Sequence, residues 1–479
     1  MTEPTEPTGT TGTTGTTEPT EPTDMAETTG PIDMAGVTRT AGAARSAGTT
    51  DTAASAVTVE TSFDWDVFVD RFWDREPVLY RGVGDAPFAE AEVFGTAVLG
   101  SRPPHPLAVP GNVQFLVERR QQTQPYDLMP ELSDGSFDGY ERRMADRLDR
   151  QRYALVVHRF HSFSHPLWAR AQRFWAGLWE RVGQPTHTAG STLFHGSYEH
   201  SPVGVHQDRF ATFMFCVRGT KRMRFWAERP WSDPVHTVLD YQPYLASSFV
   251  AEVGPGDLLY WPARYYHVGE STGGAPATSV NVGIPRREHR PYYEIKDLFR
   301  GTEPVASAPL FTPDAGPDGR LADALPTALA DAVDAFAELL DEDRFADRAT
   351  ALALRVRTAG GFWPTRPPAG PLPLDDDTPV RACAPLLAAP GPGARRFAAN
   401  GNVSSGTAGA EALAVLGRLD AGEVVRVGDL PVSRREEVRC LLQELESFRA
   451  VTRIDTDTEA GADTESDANT DTESGTDTD

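Results

Sequence analysis

Between residues 112 and 300 the chain is written in short apolar and aromatic runs cut by Gly, Pro and Asp. They include RYALVVHRF, GSTLFHGS, RFATFMFCVRG, KRMRFW, SSFVAEV, DLLYWP and ATSVNVGIP. Many evenly spaced strand-like runs with turn signals between them specify a barrel or a double-sheet jelly roll. Helical pieces are interspersed, notably PLWARAQRFWAGLWERVG (166–183), which sets Leu167, Ala171, Phe174 and Leu178 on one face. Upstream, FDWDVFVDRFWDREPVLYRG (63–82) reads as a helix feeding a sheet. Phe63, Val67, Phe68, Phe72 and Trp73 fall at helical spacing, and Pro77 ends the run before the strand Val78-Leu79-Tyr80.

The text changes after about residue 300. PTALADAVDAFAELLD (326–341) and DRFADRATALALRVR (343–357) each carry one apolar stripe, which predicts an antiparallel helical pair over a 301–365 region. The Pro/Gly-rich connector WPTRPPAGPLPLDDD follows. A small last unit, within 366–454, then offers an Ala-rich helix at 408–419, a helix with Val438, Leu441, Leu442, Leu445 and Phe448 on one face, and a short strand, an order that suits a winged-helix-like unit. Residues 1–60 and 455–479 are low-complexity and almost free of large apolar side chains, so both are expected to be disordered tails. Met25 and Met34 are alternative starts.

The net charge of -24 sits mainly in those tails: residues 1–60 carry nine acidic side chains against two arginines, and 455–479 carry ten and no basic residue. The mildly acidic remainder argues against a broad nucleic-acid footprint, leaving RREHR (286–290) as a local basic patch. Cys216, Cys383 and Cys440 are far apart and form no CxxC, so neither a disulfide framework nor a thiolate zinc site is indicated. No apolar run of about 18 residues could span a membrane, and the N-terminus lacks the pattern of a signal peptide. The expected location is the cytoplasm, without membrane attachment.

Chemistry concentrates in VHQDRFATFMFCVRGTKRMRFW (205–226). Residues two apart in a strand face the same way, so His206 and Asp208 converge. A third ligand is offered by His267, in GPGDLLYWPARYYHVGEST (254–272). Two imidazoles and a carboxylate form a facial triad that leaves positions open, which suits non-haem Fe(II) used with oxygen. Taken alone, His206 could be a satisfied core histidine and Asp208 a turn residue. Three features favour the metal reading. Gly219-Thr220 makes a turn, and Lys221 then begins a strand expected to run back beside the first, where its ammonium can pair with a carboxylate that chelates the metal through its other end. The 256–262 run leads into His267 as a second ligand strand. Ser279 and Asn281 share a face of the strand 277–285 and could hydrogen-bond a bound cosubstrate. Tyr260, Trp261, Tyr265 and Tyr266 read either as a substrate mouth or as core filling. His195 and His200 read either as contacts near the site or as ordinary polar residues. ERRMADRLDRQRY (141–153) reads as a solvated helix face.

The set His206-x-Asp208, Lys221 and His267 resembles the JmjC-type cupin Fe(II)/2-oxoglutarate oxygenases, especially the ribosomal oxygenase branch, over about 61–300. The resemblance implies a mainly β fold with α elements: a double-stranded β-helix (cupin/JmjC jelly roll), then a helical dimerisation-like region and a small winged-helix-like C-terminal unit. It implies His206, Asp208 and His267 as Fe(II) ligands and catalytic residues, and Lys221 as the holder of the distal carboxylate of 2-oxoglutarate. Thr212 and Asn281 resemble cosubstrate-contacting positions. The implied activity consumes O2 and 2-oxoglutarate, releases succinate and CO2, and hydroxylates an amino-acid side chain in a protein or peptide, with nucleic acid met only through a ribosomal substrate and a homodimer formed through the helical region. Two alternatives stand beside it: an N-methyl demethylase of the same chemistry, and a non-catalytic cupin that binds a ligand or partner. No Glu lies between Asp208 and Glu228, which disfavours the four-ligand sites of other cupins.

Overall fold

The structure is a computed structural model that describes residues 56–101, 113–185, 188–198, 203–271, 274–286, 343–365, 373–391 and 393–454, with isolated positions between 333 and 340. Residues 1–55 and 455–479 of the low-complexity tails, His200, the helix expected at 326–341 apart from those isolated positions, residues 366–372 of the Pro/Gly connector and all of RREHR except Arg286 lie outside the described residues, whereas residues 58–60, expected in the disordered tail, form a strand.

The chain enters through β1 (Thr58–Glu60), α1 (Trp65–Arg71) and β2 (Val78–Tyr80). Asp64 caps α1 by accepting from the amides of Asp66 and Val67 at 2.9 and 3.0 Å. The helix is one turn shorter than its apolar spacing suggests, and Val67 faces solvent while Phe68 and Phe72 are buried. Next come α2 (Glu90–Gly100), β3 (Val113–Val117), β4 (Arg120–Gln121), α3 (Phe137–Arg147), β5 (Tyr153–His158) and α4 (His165–Val182). Ser164 caps α4, Pro166 occupies its first turn, and Leu167, Trp168, Ala171, Trp175 and Leu178 form its buried stripe.

Eight strands follow: β6 (Gly190–Gly196), β7 (His206–Gln207), β8 (Phe210–Arg218), β9 (Lys221–Trp226), β10 (Phe249–Val253), β11 (Leu258–Trp261), β12 (Tyr266–Ser271) and β13 (Ala277–Pro285). They form two facing four-stranded layers, β11-β8-β13-β6 and β10-β9-β12-β7, and the first layer is extended by β1, β2, β3, β4 and β5 into a nine-stranded sheet. Successive strands mostly alternate between the layers, as in a double-stranded β-helix. Here the expected hairpin is corrected: β9 does not run beside β8 but crosses to the other layer and pairs with β10 and β12. Gly219, at φ +68°, makes that crossing, and a Cβ there would lie 2.7 Å from the carbonyl oxygen of Pro276.

Side-chain alternation gives the larger sheet two apolar faces. Phe213, Phe215, Leu258, Tyr260, Val280, Val282 and Ile284 face outward and pack under α1 and α4. Met214, Cys216, Leu259 and Trp261 face inward and meet Met223, Phe225, Ala251 and Val253 from the smaller sheet. The inner space between the layers holds the site.

Beyond the jelly roll, α5 (Asp343–Thr358) packs on a small sheet formed by β15 (Leu387–Ala388), β16 (Phe397–Ala399) and β17 (Asn402–Val403), which follow β14 (Val380–Ala382). Then α6 (Ala410–Asp420), α7 (Val432–Ser447) and β18 (Val451–Arg453) close a separate apolar core, with β18 antiparallel to β14. Residues 359–365 form a strap back to the jelly roll. Trp168 and His161 both reach the carbonyl oxygen of Trp363, at 2.8 and 3.1 Å, and Trp179 donates to that of Gly360 at 2.9 Å. Among the described residues no helix is long and apolar enough to cross a membrane.

Candidate metal centre

His206 opens β7, Asp208 sits in the short link before β8, and His267 is the second residue of β12, directly opposite His206. The convergence read from strand alternation is present, but its cause differs: Asp208 lies outside the strand, at the point where the chain crosses between the layers. His206 Nε2 is 3.4 Å from Asp208 Oδ1, and His267 Nε2 is 3.5 Å from Asp208 Oδ2. One ligand atom from each residue lies within 4.8 Å of the others. Among the described residues this is the one group of three such side chains that could hold a metal ion.

Hydrogen bonds behind the rings set their tautomers. His206 Nδ1 is 3.0 Å from the carbonyl oxygen of Gly204, and His267 Nδ1 is 3.2 Å from that of Tyr265. A carbonyl can only accept, so both Nδ1 atoms carry protons, and each Nε2 faces the Asp208 carboxylate, donating to it when the ring is protonated and offering a lone pair to a cation when the ring is neutral. With both rings neutral, the three side chains offer three electron-pair donors that could hold a cation. Burial works against the Asp208 charge, yet the hydrogen bonds and charges of the two imidazoles outweigh it and hold the carboxyl well below the usual range. Burial also lowers His206, but Asp208 outweighs it and the net direction is upward. In His267, burial and the neighbouring His206 win, and the direction is downward. The side chains of His206 and Asp208 are 19% and 34% exposed and that of His267 is 6%, so the group opens to solvent on the Asp208 side.

Lys221 begins β9 and is 2% exposed. Its ammonium donates to Ser279 Oγ at 2.8 Å and to the Phe194 carbonyl at 3.3 Å, with the rings of Phe194 and Tyr198 5.5 and 5.4 Å away. No carboxylate among the described residues pairs with it. A buried, unneutralised ammonium is costly, and an anion beside it would offset that cost. Since Lys221 can only donate, Ser279 accepts from it and gives its one proton to Asn281 Oδ1, 3.1 Å away. The Asn281 amide nitrogen is thereby set as a donor. Thr212 is buried on the same inner face, opposite Trp261 and Gly283. Lys221 pairs with Ser271 and Phe225 with His267, so Lys221 and the triad are four residues apart along one pair of strands, about 13 Å.

Other sequence candidates lie elsewhere. His195 is fully buried on the outer face, stacked on Phe137 and bonded to Tyr153 and Thr278, so it is a satisfied core histidine. Tyr260 and Tyr265 are fully buried, and Tyr260 faces the outer core, where its hydroxyl accepts from the Asp74 amide. Tyr266 packs against Trp231 on the outside of the smaller sheet. Trp261 alone of the four aromatics stands beside the triad, with its ring 5.0 Å from that of His267. Ser271 went unnoticed in the sequence, although counting by twos from His267 puts it on the ligand face.

Residues 170–290 match the JmjC domain family. The Ribosomal protein uL16 3-hydroxylase of Escherichia coli (strain K12) is 24% identical over 231 residues, which cover 47% of this chain and 54% of that protein. The match thus spans about half the length of the curated relative. Among solved structures, YcfD, a ribosomal oxygenase from Escherichia coli, is 16% identical with a TM-score of 0.41, covering 82% of this chain and 99% of its own. The YcfD complex with cobalt and 2-oxoglutarate is 17% identical at the same TM-score and coverage. The His206, Asp208 and His267 group lies inside the segment, residues 170–290, that matches the JmjC domain family.

Proposed function

We propose that the protein is an Fe(II)- and 2-oxoglutarate-dependent oxygenase that hydroxylates an amino-acid side chain in a protein or peptide. One observation carries this reading: a buried lysine without a carboxylate partner shares the barrel interior with an open three-ligand group. The residues fit the cofactors. His206, Asp208 and His267 supply three ligands for Fe(II), Lys221 matches one carboxylate of 2-oxoglutarate, and Thr212 and Asn281 line the path between. Bound together there, Fe(II), 2-oxoglutarate and O2 supply oxidative decarboxylation: one oxygen atom goes to the new carboxylate of succinate as CO2 leaves, and the other is inserted into a substrate C–H bond. The chain's own part is to orient and to exclude. The carbonyls of Gly204 and Tyr265 fix the two imidazoles, Ser279 orders Lys221 and Asn281, and the apolar wall of Met214, Met223 and Phe225 keeps water out.

In this reading residues 61–300 form the catalytic domain of a cytoplasmic protein, the 301–365 region contributes to a homodimer, and the last unit docks a partner as a winged-helix-like module. The two helices α6 and α7 with the β14–β18 ribbon support the last assignment.

The test is anaerobic addition of Fe(II) and 2-oxoglutarate, followed through the visible metal-to-ligand charge-transfer band. The wild type is expected to show the band, Asp208→Ala to lose it, and Lys221→Ala to need at least about tenfold more 2-oxoglutarate, as befits a lost charge-assisted hydrogen bond. No band in folded, iron-loaded wild type would overturn the proposal.

A further inference from the structure

Two buried donors on the inner face have no partner among the described residues: the indole Nε1 of Trp261 and the hydroxyl of Ser271. Trp261 is 1% exposed, on the inner face of β11, with its ring 5.0 Å from His267 and 5.6 Å from Phe225. Ser271 lies directly opposite Lys221 in the β12–β9 register, and directly opposed residues share a face. One unmet donor therefore stands at the triad and the other at the anion pocket. Buried polar groups are rarely left unpaired, and an orphan in a ligand-binding interior points to the ligand.

We infer that Trp261 and Ser271 are positioning residues for the bound dicarboxylate, the Trp261 indole donating to its metal-chelating end and the Ser271 hydroxyl to the carboxylate that Lys221 holds. This rests on the oxygenase reading above and adds to it two specific donors. A purely structural role is the competing account: the Trp261 ring fills space between Phe225 and His267, and Ser271 is a small residue near the end of β12. The two accounts differ in what the N–H and O–H do when a 2-oxo dicarboxylate arrives.

The experiment uses the full chain loaded with Zn(II), a redox-inert stand-in for Fe(II), and titrates 2-oxoglutarate by calorimetry into wild type, Trp261→Phe and Ser271→Ala. Each substitution removes one donor and keeps most of the side-chain bulk. Weakening by about tenfold for each is expected, the size of one hydrogen bond to a charged group. In parallel, the protein's nine tryptophans are followed through their ¹⁵N–¹H indole resonances, with Trp261 assigned by its loss in Trp261→Phe. Its signal should stay near its starting position when Zn(II) is added alone and move downfield when 2-oxoglutarate follows. Wild-type binding with both variants within twofold and an unmoved Trp261 signal would overturn the inference and leave the oxygenase reading standing. If only one variant is weakened, the other donor is struck from the inference. Wild type that binds Zn(II) but no 2-oxoglutarate would overturn both.

Discussion

At the scale of single residues, charge and protonation are decided by burial and by what lies opposite. His195 illustrates this away from the metal centre. Burial, reinforced by the charges of Lys221 and Arg218, pushes its pKa down to about 3, so the folded state keeps it neutral between Tyr153 and Thr278. In the unfolded chain an imidazole titrates near 6.5. The unfolded state therefore binds the extra proton first as pH falls, and stability drops from about pH 6.5 downward while remaining level above it. At pH 5 this one group costs about 2 kcal/mol. Urea unfolding of His195→Phe should show a lower stability at pH 8, because two hydroxyls lose a partner. Its further loss between pH 8 and pH 5 should be about 2 kcal/mol smaller than that of wild type. Equal pH dependence in the two proteins would refute the assignment. The convergence of His206, Asp208 and His267 was legible in the sequence because a few chemically distinctive residues at strand spacing mark it. The inward or outward sense of His195, Tyr260 and Trp261 was not, because it depends on strand register, which a single sequence does not print.

Secondary-structure elements show a different boundary between the legible and the hidden. The apolar stripe of α4 and the strands of the jelly roll follow from periodicity and turn residues. What periodicity could not supply was partnership: KRMRFW follows RFATFMFCVRG through a Gly-Thr turn and has the look of a hairpin, yet β9 pairs with β10 and β12. The strap at 359–365 was equally hidden, since Trp363-Pro364-Thr365 reads as the start of the Pro/Gly-rich connector. Gly360 and Gly361 do adopt positive φ, at 60° and 82°, and that geometry presents carbonyls to the tryptophans of α4. The Gly361 carbonyl also accepts from the Ala189 amide at 2.6 Å, just before β6. Trp168→Phe removes one of the two donors on the Trp363 carbonyl and should cost about 1 kcal/mol. The Ala189 amide should then exchange with deuterium about fivefold faster, if the strap opens as a unit. Unchanged protection at Ala189 would mean that the strap is held independently of Trp168.

Across the whole molecule, two apolar cores lie on either side of that strap, one under the jelly roll and α4, the other among α6, α7 and the β14–β18 ribbon. The proposed ligands lie between the two layers of the jelly roll, against the inner-face side chains of Met214, Met223, Phe225 and Trp261, and not in the C-terminal core. A ligand that binds the folded state alone stabilises it by mass action, about 2.7 kcal/mol at a hundred times its dissociation constant. For a domain of the jelly roll's size this amounts to a rise of very roughly 5–10 °C in melting temperature. Differential scanning calorimetry with Zn(II) and 2-oxoglutarate should therefore resolve two transitions, of which only one moves. Asp208→Ala should keep both transitions and abolish the shift. If a single transition moves as a whole, the carbonyl contacts of the strap are strong enough to fuse both cores into one cooperative unit, and ligand binding in the barrel would then also steady the C-terminal helices.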